Sequence, residues 1–169
     1  EPCPVVLDPV LRSGTGESRL ARWGAPEAML ARLLRHVDVV TPNRDELIAL
    51  AGREIETGDE GAVAARELLE FGCGAVLFKM GHLADGDEIS DALITDDQTT
   101  WLEPLSRVEA DVRGTGCQLS SALVAALADG DDLVDAVERS RTYLNELLHN
   151  RRASVGAGRP VIVRTDSQS

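Results

Sequence analysis

A glycine-rich segment followed by a cysteine is the first candidate for chemistry in this chain. Gly114-Thr115-Gly116-Cys117 stands directly before the strongest helical pattern, which runs from Cys117 to Ala128. Glycines let the backbone approach a ligand closely, and the N–H groups at a helix start point outward, so this segment suits a phosphate group. The positive end of the helix also favours a thiolate, which predicts a lowered pKa for Cys117 and makes it a candidate base for a substrate hydroxyl. The alternative is a turn needed for close helix packing, with an inert buried cysteine.

A second polar segment, Asn43-Arg44-Asp45-Glu46, follows the apolar run Val37 to Val40 through Thr41-Pro42. Open α/β sheets bind ligands where their strands end, and hydrated Mg²⁺ needs only one or two carboxylates beside a phosphate. Glu46 is therefore a candidate magnesium ligand. The alternative is that Asn43 caps a helix beginning at Arg44 and that Glu46 completes a capping box, and both interpretations can hold together.

Two further charged residues are predicted at the same edge of the sheet. Asp8 follows the apolar run Val5 to Leu7, which makes it a second candidate for the metal and phosphate region, although an aspartate is also ordinary at the start of a loop. Lys79 ends the run Ala75 to Phe78, so its ammonium can balance phosphate charge there. A solvated lysine at a strand end is the alternative.

Other common chemical motifs are missing from the sequence. His36, His82 and His149 lack the spacing of a histidine zinc site, and we assign none of them to a metal. The chain also contains no Gly-x-x-x-x-Gly-Lys-Ser/Thr segment, which removes the commonest sequence route to nucleotide phosphates. Any nucleotide site must be of another kind.

The elements that position these residues alternate along the chain. The three short apolar runs predict parallel strands buried on both faces, and the alternation with helices predicts one α/β layered domain over residues 1–169. The predicted helices cover Pro26 to Leu34, Arg44 to Ala51, Asp59 to Phe71, Cys117 to Ala128 and Leu133 to Leu148. A hairpin around Asp96-Asp97-Gln98 and a last strand within Val161 to Val163 complete the prediction.

Composition narrows the classes of partner. The 169 residues carry 29 acidic and 17 basic side chains, a formal charge of -12, so we expect neither nucleic acid nor an anionic membrane surface as a partner. A small molecule fits better. The 3 cysteines suggest no disulfide framework, which fits a reducing cytoplasm. The apolar runs are far shorter than the roughly 20 residues of a membrane span, so we expect a soluble, cytoplasmic protein. The chain opens on Glu1 and soon enters an apolar run, so we expect a fragment.

Four motifs taken in order resemble the hydroxymethylpyrimidine and phosphomethylpyrimidine kinases of thiamine biosynthesis. They are Val6-Leu7-Asp8-Pro9-Val10, the segment from Thr41 to Glu46, the segment from Val76 to His82, and Gly114-Thr115-Gly116-Cys117. The resemblance spans nearly the whole chain and implies a ribokinase-like α/β fold, a mostly parallel sheet flanked by helices, from which the N-terminal part of the family fold is missing.

The same resemblance implies roles for individual residues. Asn43 and Glu46 would shape the magnesium and phosphate site, Lys79 would contact ATP phosphates, and Gly114 to Gly116 would form an anion hole. Most members of the superfamily have an aspartate base where this chain has Cys117, and a cysteine there is typical of the thiamine-pyrimidine kinases. The reaction implied is ATP- and Mg²⁺-dependent phosphorylation of 4-amino-5-hydroxymethyl-2-methylpyrimidine and then of its monophosphate.

Further expectations and two alternatives accompany this hypothesis. We expect the complete protein to be a homodimer, and we expect the 169-residue chain alone to be inactive, because the family's pyrimidine contacts come mostly from the absent part. One alternative is a pyridoxal or pyridoxine kinase, which shares the fold. The other is a non-catalytic ligand-sensing or interaction domain, suggested by Met80 and Arg113 at positions where the family has Gly and His.

Overall fold

The structure, a computed structural model, describes residues 3–10, 32–80, 88–106, 112, 114–150, 152–153 and 161–162. The chain divides into two compact units, Glu1–Leu105 and Ser106–Ser169. The single domain predicted for residues 1–169 stays a prediction. The described strands are β1 (Val6–Leu7), β2 (Val39–Val40), β3 (Ala75–Lys79), β4 (Glu88–Ile89), β5 (Asp91–Ile94), β6 (Thr99–Trp101), β7 (Leu105–Ser106), β8 (Arg152–Ala153) and β9 (Val161–Ile162). The described α-helices are α1 (Arg44–Ala51), α2 (Gly58–Leu69), α3 (Thr115–Asp129) and α4 (Leu133–Asn150).

The first unit contains a five-stranded sheet in the order β1-β2-β3-β5-β6. The first three strands are parallel, as the three apolar runs predicted, and Val40 of β2 lies in register with Val76 of β3. Strand β2 is buried as predicted, whereas Val6 and Leu7 of β1 are only partly buried. The predicted hairpin around Asp96 adds β5 and β6 as antiparallel strands, so the sheet is mixed. Because β1, β2 and β3 run in the same direction, their C-terminal ends meet at one edge.

Helices α1 and α2 pack against one face of this sheet and close the core of the first unit. Helix α1 ends as predicted at Gly52, whose N–H donates to the Ile48 carbonyl and whose left-handed φ of 69° turns the chain out of the helix. Helix α2 begins at Gly58, where Thr57 and Glu60 form a capping box, and is slightly shorter than predicted. The core cluster includes Leu47, Leu50, Leu68, Val76, Phe78, Ala92 and Ile94.

One contact in this core has no tolerance for a larger side chain. Gly61 of α2 lies against the ring of Phe78, which is fully buried in β3. A Cβ added to Gly61 would overlap Cε1 of that ring and would lie 2.6 Å from its Cζ. The absence of a side chain at Gly61 therefore sets how closely α2 approaches β3 immediately before Lys79.

The second unit is mainly helical, as predicted. Helices α3 and α4 pack against each other and are joined through Gly130, which has a left-handed φ of 101°. Arg139 of α4 forms ion pairs with Asp129 and Asp131 at this junction. The predicted final strand is present as β9, and it pairs with β8, which was not predicted.

The predicted helix from Pro26 to Leu34 lies mostly outside the described residues. Residues Leu34–His36, which the structure does describe, form a short 3-10 helix, and Leu34 is fully buried. In the described part of the chain, none of the helices combines the length and apolar character needed to cross a membrane.

Candidate functional site

The ends of β1, β2 and β3 are joined by backbone hydrogen bonds that continue beyond the strands. The Thr41 N–H donates to the Leu7 carbonyl at 2.9 Å, and the Lys79 N–H donates to the Pro42 carbonyl at 2.9 Å. Thr41 is fully buried, and Asn43 forms a parallel bridge with Lys79. This pairing fixes the backbone of the polar segment after β2 between its two neighbours.

Asp8 and Lys79 meet at this edge in an ion pair. The Lys79 Nζ lies 3.2 Å from Asp8 Oδ1, and each side chain is only 14% exposed. Since β2 lies between β1 and β3 in the sheet, the Lys79 side chain extends across the end of β2 to pair with Asp8. The prediction that both residues lie at the same edge is confirmed, and Lys79 is not a solvated lysine.

Asn43 and Glu46 form the capping box that the sequence predicted. The Glu46 N–H donates to Asn43 Oδ1 at 2.9 Å, and the Asn43 N–H donates to Glu46 Oε2 at 2.8 Å. These bonds satisfy two N–H groups at the start of α1. They also fix the Glu46 side chain close to the ends of the strands.

The Glu46 carboxyl is near enough to Asp8 and Lys79 for their charges to act on its pKa. Burial raises the pKa of the Glu46 carboxyl above its ordinary value, although the N–H donated by Asn43 and the Lys79 ammonium act in the opposite direction. The charges of Asp8 and Asp45 add to the effect of burial. Holding Glu46 ionised therefore costs free energy here, and a cation at this edge would lower that cost.

The donor set at the edge fits magnesium. Two carboxylates, Asp8 and Glu46, both act on the Lys79 ammonium. Mg²⁺ prefers oxygen ligands and typically takes one or two carboxylates, with waters and substrate phosphates completing its shell. The arrangement therefore suits a metal shared with a phosphate-bearing ligand.

Asp91 is a residue at this edge that the sequence interpretation missed. It lies opposite Lys79 in the β3–β5 register, it is only 6% exposed, and its Oδ1 accepts a hydrogen bond of 3.3 Å from the Met80 N–H. It thereby holds the backbone that follows Lys79. The signal was a charged residue at the head of an otherwise apolar strand, Asp91-Ala92-Leu93-Ile94.

The glycine-rich segment belongs to the second unit. Helix α3 begins at Thr115, so Thr115 and Gly116 lie in its first turn rather than before it, and the predicted start at Cys117 was two residues late. Gly114 is the N-cap residue with a left-handed φ of 82°, and its carbonyl accepts from the Gln118 N–H at 3.0 Å. Cys117 is exposed in the first turn, so the alternative of a buried cysteine is wrong.

A model of the phosphomethylpyrimidine kinase family matches residues 1–162. The chain belongs to the phosphomethylpyrimidine kinase family. It is 39% identical over 158 residues to a hydroxymethylpyrimidine/phosphomethylpyrimidine kinase of Rhizobium meliloti, and the match covers 91% of this chain and 58% of that protein. The chain thus spans a little over half the length of this relative.

Solved structures show the same relationship. The phosphomethylpyrimidine kinase from Clostridium difficile 630 superposes with a TM-score of 0.69 at 31% identity. The superposition covers 86% of the chain described here and 57% of the Clostridium difficile chain. The pyridoxal kinase from Staphylococcus aureus in complex with AMP-PCP superposes with a TM-score of 0.81 at 25% identity. That superposition covers 94% of the present chain and 57% of the pyridoxal kinase chain. These similarities confirm the predicted ribokinase-like α/β fold.

Proposed function

We propose that this protein takes part in ATP-dependent phosphorylation of 4-amino-5-hydroxymethyl-2-methylpyrimidine and of its monophosphate. The observation that carries the proposal is the cluster of Asp8, Glu46 and Lys79 at the C-terminal edge of the parallel strands, in a chain matched by this family over residues 1–162. A charged cluster of this kind, at this place in an α/β sheet, suits a phosphate-bearing ligand with its metal.

Each residue of the cluster has a distinct task in this proposal. Lys79 binds a phosphate oxygen of ATP through its ammonium, and the bridge between Lys79 and Asn43 fixes the backbone from which that side chain extends. Asp8 and Glu46 would hold magnesium. When bound, the metal supplies positive charge that stabilises the charge developing on the transferred phosphoryl group.

The proton of the acceptor hydroxyl goes to Cys117. Its sulfur lies in the first turn of α3, where the helix dipole favours a negative charge, and the side chain is exposed. As the hydroxyl oxygen bonds to the γ-phosphorus of ATP, the bond to the β-phosphate oxygen breaks, ADP leaves, and the hydroxyl proton passes to the sulfur. Gly114, Thr115 and Gly116 supply the backbone of the anion hole for the phosphoryl oxygens.

Pyridoxal phosphorylation is the second candidate. It is favoured by the higher TM-score of the pyridoxal kinase, 0.81 against 0.69 for the phosphomethylpyrimidine kinase. Identity favours the pyrimidine, since the solved phosphomethylpyrimidine kinase is 31% identical and the solved pyridoxal kinase 25%. A cysteine base at position 117 also favours the pyrimidine.

A coupled assay of ADP release tests these proposals with the pyrimidine, its monophosphate and pyridoxal as acceptors. It is run on this chain alone and on the chain fused to the segment of the Rhizobium meliloti relative that it does not match. We expect pyrimidine-dependent ADP release from the fusion and none from the chain alone. Faster release with pyridoxal would select the second candidate, and no release with any acceptor would favour the non-catalytic domain.

Variants of Cys117 test the assignment of the base within the same fusion. Cys117→Ala should lower kcat about 100-fold or more, which is the usual contribution of a positioned base, and should leave the KM for ATP nearly unchanged. Cys117→Asp keeps a proton acceptor and is the matched control, so it should retain much more turnover. Equal turnover of the alanine and aspartate variants would reject Cys117 as the base.

A further inference from the structure

In the Lys79–Asp8 ion pair, Asp8 binds the same lysine ammonium that a nucleotide phosphate would bind. The only described ion pair of Lys79 joins its Nζ to Asp8 Oδ1 at 3.2 Å, where both side chains are largely shielded from water. Asp8 is therefore the counter-ion of Lys79. A nucleotide phosphate that binds Lys79 must replace Asp8 or share the ammonium with it.

That exchange leaves negative charges close together. Once the ammonium turns to a phosphate oxygen, Asp8 is a carboxylate beside an anion. Glu46 is a second carboxylate on which the charges of Asp8 and Lys79 both act. In a partly buried site such repulsion is only weakly screened by solvent. A divalent cation held by the two carboxylates would also attract the phosphate, and these attractions would outweigh the repulsion among the anions.

We infer that Asp8 couples nucleotide binding to magnesium: it competes with metal-free nucleotide for Lys79, and it becomes a ligand only when nucleotide and metal arrive together. The inference rests on the proposed function of this edge and adds the order in which its charges are exchanged. The site thereby rejects metal-free nucleotide, which cannot react, and accepts the metal complex. Asp8 is thus a selectivity residue in addition to a metal ligand.

Binding of ADP measured by calorimetry tests the inference without any turnover. The dissociation constant is measured once with EDTA and once with saturating Mg²⁺, for the wild-type chain and for Asp8→Asn. In the wild type, metal-free ADP should bind at least about tenfold more weakly than Mg-ADP, because one unit charge a few ångströms from a phosphate is worth that much in such a site. In Asp8→Asn, metal-free ADP should bind more tightly than in the wild type, and the preference for Mg-ADP should fall about tenfold or more.

Asp45→Asn is the matched control. The substitution removes a carboxylate charge at the start of α1, and the charge of Asp45, like that of Asp8, acts on Glu46. Asp45 differs from Asp8 in that it forms no ion pair with Lys79. This substitution should change the preference for Mg-ADP far less than Asp8→Asn. A variant that had only lost structure would bind both forms of ADP more weakly, so tighter binding of metal-free ADP is a result that a structural role of Asp8 would not give.

The outcomes separate the inference from the proposed function. If neither form of ADP binds the wild-type chain, the proposed function of this edge is overturned and the inference with it. If ADP binds but the wild type shows no preference for Mg-ADP, or Asp8→Asn keeps the wild-type preference, only the inference is overturned. Asp8→Ser replaces Asp8→Asn if the asparagine variant does not fold, and the wild-type comparison requires no variant.

Discussion

Replacing Gly61 by alanine should destabilise the first unit even though alanine is the better helix former. In a helix interior the replacement of glycine by alanine normally stabilises by about 1 kcal/mol. Here the new Cβ would overlap Cε1 of Phe78 and lie 2.6 Å from Cζ and 3.1 Å from Cδ1. Non-bonded carbon atoms prefer separations of about 3.5–4.0 Å, so the ring or the helix must move by roughly 1 Å.

The expected magnitude follows from these opposing effects. Phe78 is fully buried in β3, so its ring has no open space into which to turn, and overpacking of this kind costs about 1–3 kcal/mol. A cost near the upper end, offset by the gain in helix propensity, gives a net loss of about 1–2 kcal/mol in the free energy of unfolding. Because Phe78 precedes Lys79, the same shift should also weaken ADP binding.

Urea unfolding followed by far-UV circular dichroism measures this change. Val63→Ala is the control, since Val63 is 54% exposed on the same helix and its replacement should stabilise slightly. Phe78→Leu removes the ring atoms that the new Cβ would meet, so the double variant should be more stable than the sum of the two single changes predicts, by about 1 kcal/mol or more. Equal or greater stability of Gly61→Ala would refute the reasoning.

Two further predictions concern Glu46 and Cys73. Glu46→Gln should keep the capping box and relieve the cost of burying a charge, because the pKa of Glu46 is raised in the folded state. The free energy of unfolding at pH 7 should therefore be unchanged or higher. The fusion protein should nevertheless need more Mg²⁺ for ADP release. A loss of more than about 1 kcal/mol would contradict this. Burial raises the pKa of the Cys73 thiol from 9.0 to about 11, so between these values the unfolded chain releases a proton that the folded chain keeps. Stability should therefore fall with rising pH by up to about 1.4 kcal/mol per pH unit, and urea titrations of Cys73→Ala should lack this part of the slope.

Much of the first unit could be predicted because its signals are local. Strands buried on both faces appear as short apolar runs, and Gly52 ends α1 because the left-handed conformation favours glycine. The capping box could be predicted for the same reason, since Asn43 and Glu46 lie three positions apart and act within one helical turn.

Features that depend on strand order could not be predicted in the same way. The sequence placed Asp8 and Lys79 at one edge, but nothing local shows that the lysine passes the end of β2 to pair with an aspartate 71 positions earlier. The role of Asp91 depends on its antiparallel register with Lys79. Strand β8 consists of Arg152 and Ala153, which form no apolar run, and its existence depends on pairing with β9.

The capping box at α1 has an evolutionary consequence. Asn43 and Glu46 exchange two hydrogen bonds that start the helix, so selection for folding alone would preserve both residues in a descendant that had lost its enzymatic activity. Their retention in a lineage is therefore a weak sign of catalysis. Asp8 and Lys79 form no capping hydrogen bond at a helix end. Replacing both partners of a buried ion pair with apolar residues of similar size often leaves the free energy of unfolding unchanged. Joint loss of this aspartate and lysine, with the Asn-x-x-Glu motif intact, would mark the lineages that abandoned the reaction.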